Sequence, residues 1–196
     1  MDSTLQRGLL ELVTGPMFAG KTACLLERLA AIEARGYPVL AIKPRVDTRW
    51  PDEIVSHSGG RRHAVSVWNG SELVGLADGY ELVGIDEAQF FERDLIDAVA
   101  ELRRTTQVVV AALDFDFRGE PFAVVPELVT GADVVRRLQA VCGACGGRAT
   151  LTQRFVDGLP APFSDTVVRV GGDELYAPRC SHCYGAEREA ASARTA

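Results

Sequence analysis

The chain has 196 residues, 47% apolar and 24% charged, with a net charge of −6. That composition supplies a core and excludes a disordered chain. The acidic balance argues against a nucleic-acid backbone as partner, since that task needs a basic face. With no run of about 18 apolar residues, no membrane-spanning helix is expected. The polar start, residues 1–10, lacks the stages of a signal peptide. We therefore expect a cytoplasmic chain whose thiols stay reduced.

In chain order, residues 9–13 read as a strand running straight into a glycine-rich stretch. A helix is expected over 21–35, with Leu25, Leu26, Leu29 and Ile32 on one stripe and Gly36 as its stop. Residues 39–42 form a second strand, and the polar stretch 44–69 reads mainly as loop. A third strand covers 82–85 and ends at Asp86 and Glu87. A helix follows near 92–104, a fourth strand covers 108–113 and ends at Asp114, and a fifth covers 134–141. This alternation predicts an α/β fold: a parallel sheet flanked by helices. At Cys142 the composition turns rich in Gly, Pro and Cys. The expected division is a nucleotide-binding α/β domain over 1–141, a small zinc-binding domain over 142–184 and a frayed tail over 185–196.

Gly15, Pro16, Met17, Phe18, Ala19, Gly20, Lys21 and Thr22 fit GxxxxGK[ST] between a predicted strand and a predicted helix. Glycines let the backbone curl so that its N–H groups meet phosphate oxygens, and the helix N-terminus adds partial positive charge. Lys21 is expected to reach the β- and γ-phosphates of ATP, and the Thr22 hydroxyl to hold Mg²⁺. The bland alternative is a glycine-rich turn. Asp86 supplies the strand-end acid that such a site needs for magnesium. Glu87 is positioned to take a proton from whatever attacks the γ-phosphate, or else is a solvated loop carboxylate. Ala88 and Gln89 complete this acidic box and are grouped with the ATP site. At this point the attacker can be water or a substrate hydroxyl.

Cys142 with Cys145, and Cys180 with Cys183, form two CxxC pairs, a spacing that places four thiolates around Zn²⁺. Their separation exceeds the common zinc-ribbon spacing and leaves room for a functional loop. His182 competes with Cys183 as a ligand, and redox chemistry is the alternative for either pair. We expect structural zinc with no open coordination position. Cys24 reads as a small buried apolar residue.

These pieces, in order, resemble the zinc-carrying thymidine kinase family. The resemblance rests on the loop 15–22; on Lys43, Pro44, Asp47, Thr48 and Arg49; and on Ser56 and His57. It continues through 85–91, 112–122, 140–145 and 170–176 into the second CxxC. It implies a P-loop, RecA-like domain with a zinc ribbon carrying a lasso. It implies transfer of the ATP γ-phosphate to the 5′-hydroxyl of thymidine, and by extension deoxyuridine, with Glu87 as base. Asp47 and Arg49 would sit near the phosphates. Phe90, Phe117 and Phe122 would shape the base pocket. Val167, Val168, Arg169, Val170, Gly171 and Tyr176 would belong to the lasso closing over thymine. The resemblance further implies a homotetramer and feedback inhibition by dTTP. Ala19 stands where many members have serine, and the lasso base at 160–163 is longer than in short members. The rival reading, from the Asp86-Glu87-Ala88-Gln89 box, is a P-loop ATPase of helicase type. It needs a second domain and a basic track for the strand.

Overall fold

The structure is a computed structural model describing residues 5–169 and 171–195, with side chains through 191. Strand β1 (Leu10–Gly15) leads into helix α1 (Lys21–Glu33) and strand β2 (Val39–Pro44). A short hairpin, β3 (Glu53–Val55) and β4 (Arg61–His63), is followed by β5 (Val65–Val67) and α2 (Glu72–Leu76). Next come β6 (Leu82–Ile85), a 3-10 turn at Ala88–Phe90, α3 (Asp94–Leu102), β7 (Gln107–Leu113), α4 (Val125–Gly131) and β8 (Val134–Arg137).

Six strands form one parallel sheet in the order β5-β2-β6-β7-β1-β8. Because successive side chains in a strand point to opposite faces, each central strand feeds two cores. Leu10, Leu12, Ile42, Val83, Ile85, Val108 and Val110 pack with α3 and α4. Val13, Ala41, Leu82, Val109 and Ala111 pack with Leu25, Leu29 and Ile32 of α1. Gly84 in β6 sets the spacing of the second layer. A Cβ there would lie within 2.9–3.0 Å of the Leu25 and Leu29 side chains. Glu11 is buried in β1 as the partner of Arg28 at 3.3 Å and of Arg136.

The stretch 44–69, expected mainly as loop, holds β3, β4 and β5. The expected strand 134–141 splits in two. After β8 the Leu138 N–H still bonds to the Thr14 carbonyl at 2.7 Å, and the chain then leaves the sheet.

A second unit begins with β9 (Ala140–Val141) and β10 (Arg148–Ala149), an antiparallel pair around the first CxxC. Strands β11 (Leu151–Val156), β12 (Leu159–Pro160) and β13 (Tyr176–Arg179) form a three-stranded antiparallel sheet in the order β12-β11-β13. The lasso, 161–175, joins β12 to β13. Helix α5 (Ser181–Thr195) carries Cys183 and runs through the stretch expected to fray. Alanine-rich sequence favours helix, and Glu187 and Arg188 give α5 partners on the second unit. None of the helices among the described residues is long and apolar enough to cross a membrane.

Candidate active site

The glycine-rich loop leaves β1 at Gly15, whose φ is 144°, a backbone region open essentially to glycine. A Cβ there would stand 2.5 Å from the Leu138 carbonyl oxygen. Gly20, at φ 85°, starts α1. No side chain caps α1, and its first turn carries no acid. Its N-terminal N–H groups and dipole end therefore suit an anion. Lys21 Nζ donates to the Pro16 carbonyl at 2.8 Å. Burial lowers the pKa of its ammonium, while Glu87, Asp86 and Asp114 oppose that shift. The Thr22 hydroxyl lies 3.4 Å from Asp86 Oδ1. Strand β7 separates β1 from β6 in the sheet, so these two groups meet across an intervening strand. Burial, with help from the neighbouring Glu87 charge, pushes the Asp86 carboxyl up to about 7.

Glu87 occupies left-handed backbone at φ 52°, a strained position for a residue with a Cβ. Its carboxylate is gripped from two sides. Arg49 Nη2 donates to Oε1 at 2.5 Å, and Gln89 Nε2 donates to Oε2 at 2.5 Å. Gln89 is anchored in turn, because its Oε1 accepts the Leu113 N–H at 3.0 Å. Behind Arg49 sits Asp47, 2.6 Å from Arg49 Nε and 3.0 Å from Lys43 Nζ. Burial alone would raise Asp47 and lower Arg49. Their mutual attraction wins in both cases, leaving Asp47 below and Arg49 above the ordinary value. Ala88 belongs to the main core beneath the site.

Lys21, Thr22, Arg49 and Glu87 line a cavity of about 390 Å³, in the size range of small-ligand pockets. Met17, Phe18 and Gly20 of the glycine-rich loop line it as well. The same cavity is lined by Phe90, Phe117 and Phe122 and by Val167, Val168, Arg169, Gly171 and Tyr176 from the lasso region. Asp47, Asp86, Ala88 and Gln89 stand behind the wall. Val170 lies outside the described residues. His57, to which the sequence reading gave no role, also lines the cavity, its ring 5.0 Å from that of Phe18.

Sequence reasoning gave no role to Arg154 or Thr152, which, with the expected Tyr176, hold the lasso and the phosphate loop. Arg154 of β11 is wholly buried. It donates to the Thr166 carbonyl at 2.6 Å, pairs with Asp165 at 2.8 Å and lies 3.7 Å from the Phe117 ring centroid. Tyr176 donates its hydroxyl to the Arg169 carbonyl at 2.7 Å. Thr152 Oγ1 accepts the Met17 N–H at 3.0 Å, which ties the second unit to the phosphate loop. No motif marks Arg154 or Thr152; only their position on β11 sets them apart.

The sulfurs of Cys142, Cys145, Cys180 and Cys183 all lie within 4.8 Å of one another. Cys145 and Cys180 are 3.8 Å apart, about the edge of a tetrahedron whose Zn–S bonds are about 2.3 Å. Burial would raise the Cys142 thiol, yet N–H groups of Cys180, Ala144 and Cys145 help bring it down to about 6. Hydrogen bonds that the Cys183 thiol donates to the other cysteines, Cys180 first, push it up to about 12. The donor set is suited to a zinc ion, and exposed His182 stands outside it. Ala19 of the phosphate loop packs with Cys180 and Cys183 against Cys142.

A sequence model described as thymidine kinase matches residues 8–184. A thymidine kinase of Coprothermobacter proteolyticus is 45% identical over 183 residues, covering 92% of each chain.

Proposed function

The chain belongs to the thymidine kinase family, and on that premise we propose how its cavity carries out the transfer. It is a nucleoside kinase, a transferase acting on thymidine, and this membership displaces the helicase-type alternative. We assign the triphosphate of ATP to the loop 15–22. The N-terminus of α1 and Lys21 there balance the phosphate charge. Thymine goes to the aromatic end, between Phe90, Phe117 and Phe122 and the lasso.

The observation that carries this reading is the place of Glu87. It lines the same cavity as the phosphate-loop residues and Phe90, Phe117 and Phe122, and two donors anchored elsewhere fix its carboxylate. A 5′-hydroxyl held there attacks the γ-phosphorus, the bond to the ADP oxygen breaks, and Glu87 receives the hydroxyl proton. Arg49 lies against the charge that develops on the transferring group. Gln89 and Asp47 are positioning residues, one for Glu87 and one for Arg49.

Magnesium fits beside Thr22 and Asp86, a hydroxyl and a carboxyl 3.4 Å apart at the loop. When bound with ATP it supplies charge neutralisation at the phosphates. Zinc fits the four thiols and is structural, since four protein ligands leave no open position. Feedback by dTTP is supported by the same continuity, because a ligand joining thymine to a triphosphate spans both ends of the cavity. A homotetramer is in keeping with the edge strand β8, which exposes Val134 and Val135. Free cysteines suit a cytoplasmic location. Deoxyuridine is the expected second substrate, because one methyl group discriminates by only about 1–3 kcal/mol.

The direct test is Glu87→Gln. We expect nucleotide binding to persist and turnover to fall by about 10²-fold or more, the scale of general-base loss. Near-normal turnover would overturn the assignment.

A further inference from the structure

Helix α5 reaches the base end of the cavity from behind. The Tyr184 hydroxyl donates to the Phe117 carbonyl at 2.7 Å, and Arg188 Nη2 donates to the same oxygen at 2.8 Å. The other arm of Arg188 donates to the Ala161 carbonyl at 3.3 Å, and its guanidinium lies 4.1 Å from the Phe163 ring centroid. One side chain therefore holds both the loop that carries Phe117 and the foot of the lasso.

That loop is built to present its tip. The Asp116 carboxylate accepts the N–H groups of Arg118 and Glu120 at 2.8 and 3.0 Å, and Gly119 turns the chain at φ 81°. The register of α5 is fixed as well, because Arg179 Nε bonds Glu187 at 2.9 Å. Residue 188 lies beyond the span 8–184 that matches the family.

We propose that α5 is a latch on the thymine pocket, with Tyr184 and Arg188 as positioning residues that set the place of Phe117 and of the lasso foot. This inference rests on the assignment of Phe117 to the thymine pocket. A charged donor and a phenol on one carbonyl leave the Phe117 loop little freedom. Losing that order lowers affinity for the ligand that the loop contacts, with little effect on the phosphate end.

The test is steady-state kinetics of the full-length chain, with Arg188→Ala, Arg188→Lys and Phe117→Ala. For Arg188→Ala we expect KM for thymidine to rise about tenfold, the scale of a lost charge-assisted hydrogen bond, with KM for ATP and kcat within about twofold. Lysine keeps a charged donor but not the planar fork, so Arg188→Lys should recover part of the loss. If Arg188→Ala does not fold, Tyr184→Phe removes one donor from the same carbonyl. It should raise KM for thymidine about threefold. An unchanged KM for thymidine in the folded variant, or an equal rise in both KM values, would overturn the latch. If Phe117→Ala still raises KM for thymidine in that case, the pocket assignment survives. An unaffected KM in Phe117→Ala would remove the pocket assignment and the latch with it.

Discussion

The carboxylate of Asp47 is buried between two cations, Lys43 Nζ at 3.0 Å and Arg49 Nε at 2.6 Å. Lys43 also donates to the carbonyls of Trp50 and Glu53 at 2.9 and 3.3 Å, so it pins the segment leading to the β3–β4 hairpin. Removing the charge of Asp47 leaves a buried ammonium without its counter-ion, a loss of about 3–5 kcal/mol. The pH dependence follows from the depressed folded pKa. The ionised carboxylate stabilises the fold fully above its unfolded value, near 3.8, and this is lost as pH falls through the lower folded value. We therefore expect the gap in urea midpoint between wild type and Asp47→Asn to be full above about pH 5 and to narrow at lower pH. A gap that stays constant across that range would show that the ion pair is not its source. Local pattern alone puts an acid here without saying which way it faces. The resemblance suggested a place near the phosphates; in the structure the carboxylate faces Lys43 and Arg49.

At the scale of elements, the phosphate loop and the cysteine cluster touch. Ala19 packs against the buried cluster of Ala140, Cys142 and Ala149, as Cys180 and Cys183 do, and Thr152 accepts the Met17 N–H. The knuckles therefore support the loop proposed to hold ATP as well as β13, one foot of the lasso. Metal removal should accordingly weaken binding of both ATP and thymidine, measured separately by titration calorimetry before and after chelation. A loss confined to thymidine would show that the loop stands without the cluster. The central elements were legible because β1, β2, β6 and β7 are short apolar runs and α1 and α3 carry helical stripes. The hairpin β3–β4 was not, since its strands are three residues long and Arg61–His63 is polar throughout. Helix α4 was also missed. It has seven residues with Pro126 in its first turn, and it buries only Val125 and Leu128.

For the whole molecule, the candidate phosphate site could be proposed from sequence because its chemistry is local. Glycines, Lys21 and Thr22 are neighbours in the chain, and Asp86 ends an apolar strand. The part proposed for the base draws on β11, β13, the lasso and the 114–122 loop, with α5 bonded to that loop, and no short window contains them. Arg154 and Arg188 illustrate the difference. In a chain whose 21 basic residues are arginine except for two lysines, only burial and partners set these two apart. The central claim is that one cavity brings ATP and a thymidine hydroxyl together at Glu87. A coupled ADP-release assay with ATP and Mg²⁺ tests it most directly, run with thymidine, deoxycytidine, deoxyadenosine or no nucleoside. The account predicts turnover with thymidine, and with deoxyuridine if it is added, but none with the other nucleosides or with none. Turnover of equal size without a nucleoside would mean that water is the acceptor, and would contradict it.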